Sequence, residues 1–176
     1  CIRDSSVTGV QLVSAYSAVA NGGLLLQPRI VKSVVQNDGT VNNTPRTVVR
    51  RVISEQTAEA LLGVISCVDD RGTGKSAAVE GFRVAGKTGT AKKSGIGGYS
   101  EDKYIAIFAG IAPVTEPKLV VVVVIDEPRT GVYYGGEVAA PVFANVASGA
   151  LRLLGVPPDN LQEPALHIAV LTEANL

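Results

Sequence analysis

The chain has no methionine and no tryptophan, and only two cysteines and one histidine among its 176 residues. Each scarcity removes a class of chemistry. Cys1 and Cys67 form neither a metal-ligand spacing nor a disulfide framework. The lone histidine, His167, sits in a weakly patterned tail with no Ser or Cys partner marked for it, which argues against a histidine-based triad. Lys plus Arg equals Asp plus Glu at 16 each, so the broad positive field that nucleic-acid binding needs is missing. The longest apolar run, Leu119 to Ile125, is far too short to cross a bilayer. With no starting Met and a helix pattern almost at once, the chain reads as a piece of a longer protein, whose targeting or anchoring segment is expected elsewhere.

What is present suits a globular core: 46% of residues are apolar and 18% charged. Thr8 is placed to cap a first helix carrying Leu12, Tyr16, Val19 and Ala20, with Gly22-Gly23 closing it. Residues 24 to 53 are rich in Val, Ile and Thr and turn at Asn37-Asp38-Gly39, which predicts short strands or a hairpin. Ser54 caps a second helix, whose predicted buried face is Ala58, Leu61, Leu62 and Ile65. After a Gly-rich loop, Arg71 to Lys75, come three predicted strands: Phe82 to Ala91, Tyr104 to Ala112 and Leu119 to Asp126. Their short connections favour antiparallel neighbours. The last, apolar on both sides, is expected to be central and covered on both faces. A final helix, Val138 to Leu154, is expected to line one side with Val142, Phe143, Val146, Ala150 and Leu154, with Pro141 in its first turn. The fold class is therefore α+β, with helices packed on an antiparallel sheet.

One segment carries chemistry. Gly86-Lys87-Thr88-Gly89-Thr90-Ala91, near the end of a predicted strand, supplies a cation, two hydroxyls and, between the hydroxyls at Gly89, a residue without a side chain. At period two, Thr88 and Thr90 point to the same side. Such an edge can hold an extended peptide by strand-like hydrogen bonds and its carboxylate by charge-assisted ones.

A Lys-Thr-Gly triplet alone is weak evidence, but its surroundings are specific. Gly72-Thr73-Gly74, Val79 to Ala91 and Tyr104 to Pro113 closely resemble class B penicillin-binding proteins. Val124 to Pro128 and Tyr133 to Phe143 are similar to the division-specific (septal, FtsI-type) branch. The resemblance runs from about Ser6 to Asn160. It implies residues 1–155 as the C-terminal part of a transpeptidase domain of the serine β-lactamase-like fold, and 156–176 as a tail. It implies a D,D-transpeptidase that cross-links stem peptides ending in D-Ala-D-Ala through a serine acyl-enzyme, and that β-lactams block. Lys87 would support the proton and charge balance, and Thr88 and Gly89 would contact substrate. Thr90 would bind the terminal carboxylate and lend its N–H to the oxyanion hole. Tyr99, Tyr133 and Tyr134 would form aromatic walls. No cofactor or metal is implied. Partners would be peptidoglycan peptides, β-lactams and other division proteins, in a bacterial periplasm, with an inner-membrane anchor upstream. Enzymes of the same fold, a serine β-lactamase or D,D-carboxypeptidase, and a non-catalytic β-lactam sensor are the alternatives.

The family's S-x-x-K and S-x-N motifs precede Lys-Thr-Gly, yet neither occurs in the 86 residues before Lys87. This chain alone is therefore expected to be inactive. Ser100-Glu101-Asp102-Lys103 spells S-x-x-K, but after the triplet and in an expected loop. Gly72-Thr73-Gly74-Lys75-Ser76 mimics a phosphate loop, but Asp69 stands where its first Gly belongs. The adjacent carboxylates Asp69-Asp70, Glu101-Asp102 and Asp126-Glu127 are expected to point apart and to be solvated.

Overall fold

The computed structural model describes residues 6–66, 74–95, 98–129 and 131–160. Cys1, Cys67, Asp69-Asp70, most of the Gly-rich loop and His167 lie outside the described residues.

Local capping chemistry sets the first two helices. Helix α1, Gly9–Ala20, starts at Thr8, whose hydroxyl accepts from the Gln11 N–H while the Gln11 side chain accepts from the Thr8 N–H. That reciprocal pair satisfies two otherwise orphaned donors. Helix α2, Glu55–Ile65, starts at Ser54, which accepts from the Thr57 N–H. Between them, β1 (Leu24–Leu26) pairs antiparallel with β4 (Val48–Arg51), and β2 (Ser33–Val35) with β3 (Val41–Asn43) across the Asn37-Asp38-Gly39 turn. The predicted face of α2 is only partly covered: Ala58 is buried, but Leu61 is exposed.

The main sheet is antiparallel in the order β5 (Ala85–Gly95), β6 (Gly98–Ala112), β7 (Leu119–Asp126). Two expectations change here. Among the described residues β6 is the central strand and β7 an edge, with Val124 exposed. An apolar run reports what covers a strand's faces, not which strands flank it. Ser100 to Lys103 belong to β6 rather than to a loop, because the β5–β6 ladder continues to Gly95 opposite Gly98.

Helix α3, Gly135–Val138, leads into α4, Ala140–Leu153, with Pro141 in its first turn. The buried stripe of α4 is Ala140, Phe143, Ala147 and Leu151, whereas Val142, Val146 and Leu154 are exposed. The expected stripe followed the larger side chains. The observed one follows close approach to the sheet: a Cβ at Gly110 would lie 2.6 Å from Cε2 of Phe143, so only a residue without a side chain fits under that ring. Phe108 and Phe143 are both fully buried, with centroids 4.8 Å apart at 55°, a tilted geometry favourable to aromatic pairs. Val84, Val123, Ala139 and Ala140 belong to the same core, with Ala77, Val79 and Ala112.

Side chains alternate across a strand, so Ala109 and Ile111 face away from α4, yet they are buried too. Helix α1 packs against β6 and β7, and α2 against β5. The sheet is thus held between helices, as the α+β expectation requires. Residues 156–160 return to this body: the Asp159 carboxylate accepts from the Arg83 N–H at 2.7 Å and from Thr115 Oγ1 at 2.8 Å, and the Asn160 N–H donates to the Gly81 carbonyl.

Candidate active site

Strand β5 has a strand neighbour on one side only among the described residues. Its other edge is therefore a template for an extended chain. Lys87, Thr88, Gly89 and Thr90 lie along it. Lys87 is exposed and the other three are half-buried, so the segment is neither sealed in the core nor detached from it.

Alternation sends Lys87 and Thr88 to opposite faces, but the long lysine side chain curls back over the edge. Its Nζ donates to the Thr88 carbonyl at 3.1 Å and to Thr88 Oγ1 at 3.3 Å. Thr90 takes the α3 side of the sheet. Its Oγ1 accepts from the Gly135 N–H at 3.0 Å, across 45 residues of sequence. A Cβ on Gly135 would lie 2.3 Å from the Ile107 carbonyl oxygen and 2.5 Å from that of Gly89. The start of α3 therefore rests directly on the backbone of β5 and β6.

Tyrosines flank this contact. Tyr134 is the N-cap of α3, and its carbonyl accepts from the N–H groups of Glu137 and Val138. Tyr133 stacks on Tyr104 of β6, with centroids 3.9 Å apart and planes 11° from parallel. Tyr133 also meets Tyr134 at 4.6 Å, and their hydroxyls are 3.4 Å apart. That hydrogen bond, followed by the Tyr133 charge, raises the Tyr134 pKa. Lys92, opposite Tyr104 in the ladder, holds its ammonium 5.9 Å from the Tyr104 centroid, within cation–π reach. Thus Tyr133 and Tyr134 do gather with Thr90. Tyr99 does not: it pairs with Ser94 toward the far end of the β5–β6 ladder, four residues beyond Thr90 or about 13 Å at strand rise.

The sequence reading missed Tyr104, Lys92 and Gly135. Pairing Lys92 with Tyr104 required the strand register. Gly135 carried no signal beyond its place in the Tyr-Tyr-Gly-Gly stretch.

Asp126 and Glu127 do not point apart. Glu127 has φ 51°, which turns the chain at the strand end, and both carboxylates reach Lys93 Nζ, at 2.9 and 2.8 Å. Lys103 stands 3.8 Å from Glu127. The Glu127 pKa is lowered, first by the Lys93 hydrogen bond and then by the charges of Lys103 and Lys93. That of Lys93 is raised, first by Glu127 and then by Asp126. The two adjacent carboxylates are thus neutralised by lysines from β5 and β6. Ser100 donates to Asp102 at 3.0 Å within β6, so the S-x-x-K decoy has no helix to open.

Among the described residues no group of His, Cys, Asp and Glu could hold a metal ion, and no helix is long and apolar enough to cross a membrane. An apolar groove of about 630 Å³ lies elsewhere, between α1, β1 and Ile53, and includes none of the Lys87–Thr90 segment.

The described residues thus form a sheet between helices, with a Lys-Thr-Gly-Thr segment on an edge strand beside a helix that Tyr134 caps. Comparison with known proteins names the family. Residues 4–148 match the family model described as the penicillin-binding protein transpeptidase domain, and the chain belongs to that family. It is 43% identical over 155 residues to stage V sporulation protein D of Bacillus subtilis, covering 87% of this chain and 24% of that protein. It is 40% identical to peptidoglycan D,D-transpeptidase FtsI of Escherichia coli, covering 88% of this chain and 25% of that one. The chain thus spans about a quarter of the length of these curated relatives. Among solved structures, the transpeptidase domain of Burkholderia pseudomallei penicillin-binding protein 3 superposes with a TM-score of 0.75 at 42% identity, over 88% of this chain and 45% of that one. Penicillin-binding protein 3 of Mycobacterium tuberculosis complexed with ampicillin gives 0.79 at 34%, over 92% and 38%.

Proposed function

We propose that the protein to which this chain belongs is a peptidoglycan D,D-transpeptidase of septal cell-wall synthesis and a target of β-lactams. The observation that carries the reading is the half-exposed edge of β5, where Lys87, Thr88 and Thr90 gather beside the start of α3. A stem peptide would lie along that edge as an added strand. Thr90 would donate to the terminal carboxylate. Its N–H would stabilise the tetrahedral oxyanion, a donor whose loss typically costs about 3 kcal/mol. Lys87, an ammonium already over Thr88, would balance charge where the carboxylate and the departing proton meet.

In the acylation step a serine Oγ bonds to the penultimate D-Ala carbonyl carbon. The C–N bond to the last D-Ala breaks, and the serine proton ends on the leaving amine. An amine of a second stem then attacks the ester, restoring the serine and forming the cross-link. With no S-x-x-K or S-x-N ahead of Lys87, the serine comes from residues beyond this sequence. The named relatives, and the ampicillin complex of one solved relative, support a β-lactam-binding transpeptidase. Division partners, a periplasmic location and an inner-membrane anchor follow from the septal reading. Roles for Tyr133 and Tyr134 as cleft walls are supported by their stacking beside Thr90, and Tyr99 keeps a wall role only toward the outer end of the cleft.

Fluorescent penicillin tests the reading. The complete protein should be labelled covalently, and purified protein should join a donor stem peptide to an acceptor amine. The 176-residue chain alone should stay unlabelled. Label on the isolated chain would remove the external serine, and failure of the complete protein to label would remove the function.

A further inference from the structure

We infer that Gly135 is a positioning residue that sets Thr90 as a hydrogen-bond donor toward the substrate carboxylate. The inference rests on the proposed role of Thr90 and adds what fixes its hydroxyl.

A threonine hydroxyl has one hydrogen and two acceptor lone pairs, and left alone it rotates to suit either use. At Thr90 one acceptor position is taken by the Gly135 N–H at 3.0 Å. A hydrogen pointing at that N–H would meet another hydrogen, so the O–H turns away from it. Among the described residues no protein acceptor receives the Thr90 hydroxyl hydrogen. What remains is an outward donor, suited to a group that only accepts. An ionised carboxylate is such a group, and hydrogen bonds to it are roughly twice as strong as neutral ones.

The N–H is held there by two features. Gly135 sits against the Gly89 and Ile107 carbonyls at a depth no side chain permits. The residues before it are pinned to β6 through the Tyr133–Tyr104 stack. Both fix the backbone, not the chemistry, so the effect on substrate passes through Thr90.

The test uses the complete protein and a penicillin in two forms, free acid and methyl ester. The readout is the ratio of their second-order acylation rates, which measures what the carboxylate contributes. Thr90→Val should lower that ratio by about tenfold to a hundredfold, as expected for a lost hydrogen bond to a charged group. Replacing the Tyr134–Gly135 amide by an ester, through glycolic acid at position 135, deletes the N–H without adding atoms. It should lower the ratio at least about threefold and have no further effect in the Thr90→Val background. Gly135→Ala should act in the same direction, and thermal unfolding shows whether it still folds. If Thr90→Val leaves the ratio unchanged, the carboxylate role of Thr90 is wrong. If Thr90→Val lowers it but the backbone ester does not, or slows acid and methyl ester equally, the role given to Gly135 is wrong and the contact is structural only.

Discussion

Replacing Gly110 with Ala places a methyl group where two aromatic rings already stand. The new Cβ would be 2.6 and 2.7 Å from two ring carbons of Phe143 and 2.9 Å from one of Phe108. Favourable carbon contacts begin near 3.5 Å, so the Phe143 edge has to retreat by roughly 0.9 Å. It has nowhere to go: Phe108 is 0% and Phe143 1% exposed. Overpacking of this kind costs about 1–3 kcal/mol. Phe143→Ala, which empties the same space, should cost about 3–5 kcal/mol. The two changes share one volume, so the double variant should be more stable than the sum of the single effects predicts, by at least about 1 kcal/mol. Urea unfolding of the complete transpeptidase domain, followed by far-UV circular dichroism, measures all four corners of the cycle. Additivity within about 0.5 kcal/mol would show that the rings do not explain the glycine. It would also undo the account of why α4 buries its small residues.

Two further outcomes follow from the geometry. Asp159→Ala removes the acceptor of the Arg83 N–H, the Thr115 N–H and the Thr115 hydroxyl, and should lower stability by about 1–3 kcal/mol, with Asp159→Asn recovering part of it; an unmoved urea midpoint would mean that residues 156–160 do not brace the core. Lys93→Ala should lower the melting temperature slightly, and less in high salt, because the cluster is partly exposed. Glu127 titrates below the ordinary carboxylate value of 4.5, so its share is present above that value and lost as pH falls through the lower folded one. Lys93 titrates above 10.5, so its share is present below that value and lost as pH rises through the higher folded one. The wild-type advantage should be flat from about pH 5 to 10 and shrink on both sides; a gap that widens in acid would contradict the ion pairing.

The parts of the fold that local chemistry decides could be read from the chain. Thr8 and Ser54 cap where hydroxyl chemistry puts them, and the Asn37-Asp38-Gly39 turn joins β2 and β3. Short connections made β5, β6 and β7 antiparallel neighbours. Faces and neighbours were harder. On α4 the large residues Val142 and Val146 suggested an inward stripe, but the sheet comes closest where Gly110 leaves room for Phe143, and the alanines follow that line. For β7, five consecutive valines mark an apolar strand without saying what lies beside it.

The site divides along the same line. That Thr88 and Thr90 share a side follows from period two, and that Lys87 can still join them follows from the length of its side chain, which carries Nζ over the edge to Thr88. What gives the Thr90 hydroxyl a direction lies 45 residues away, on a helix whose first N–H has no intrahelical partner. No window of sequence links those positions, because the link is a close approach between two backbones and leaves no side-chain pattern to detect. The sequence displays the groups that would touch substrate, while tertiary packing supplies the group that would aim one of them. On the proposed role of Thr90, a glycine in a Tyr-Tyr-Gly-Gly stretch would help determine carboxylate binding through the threonine that would make the bond.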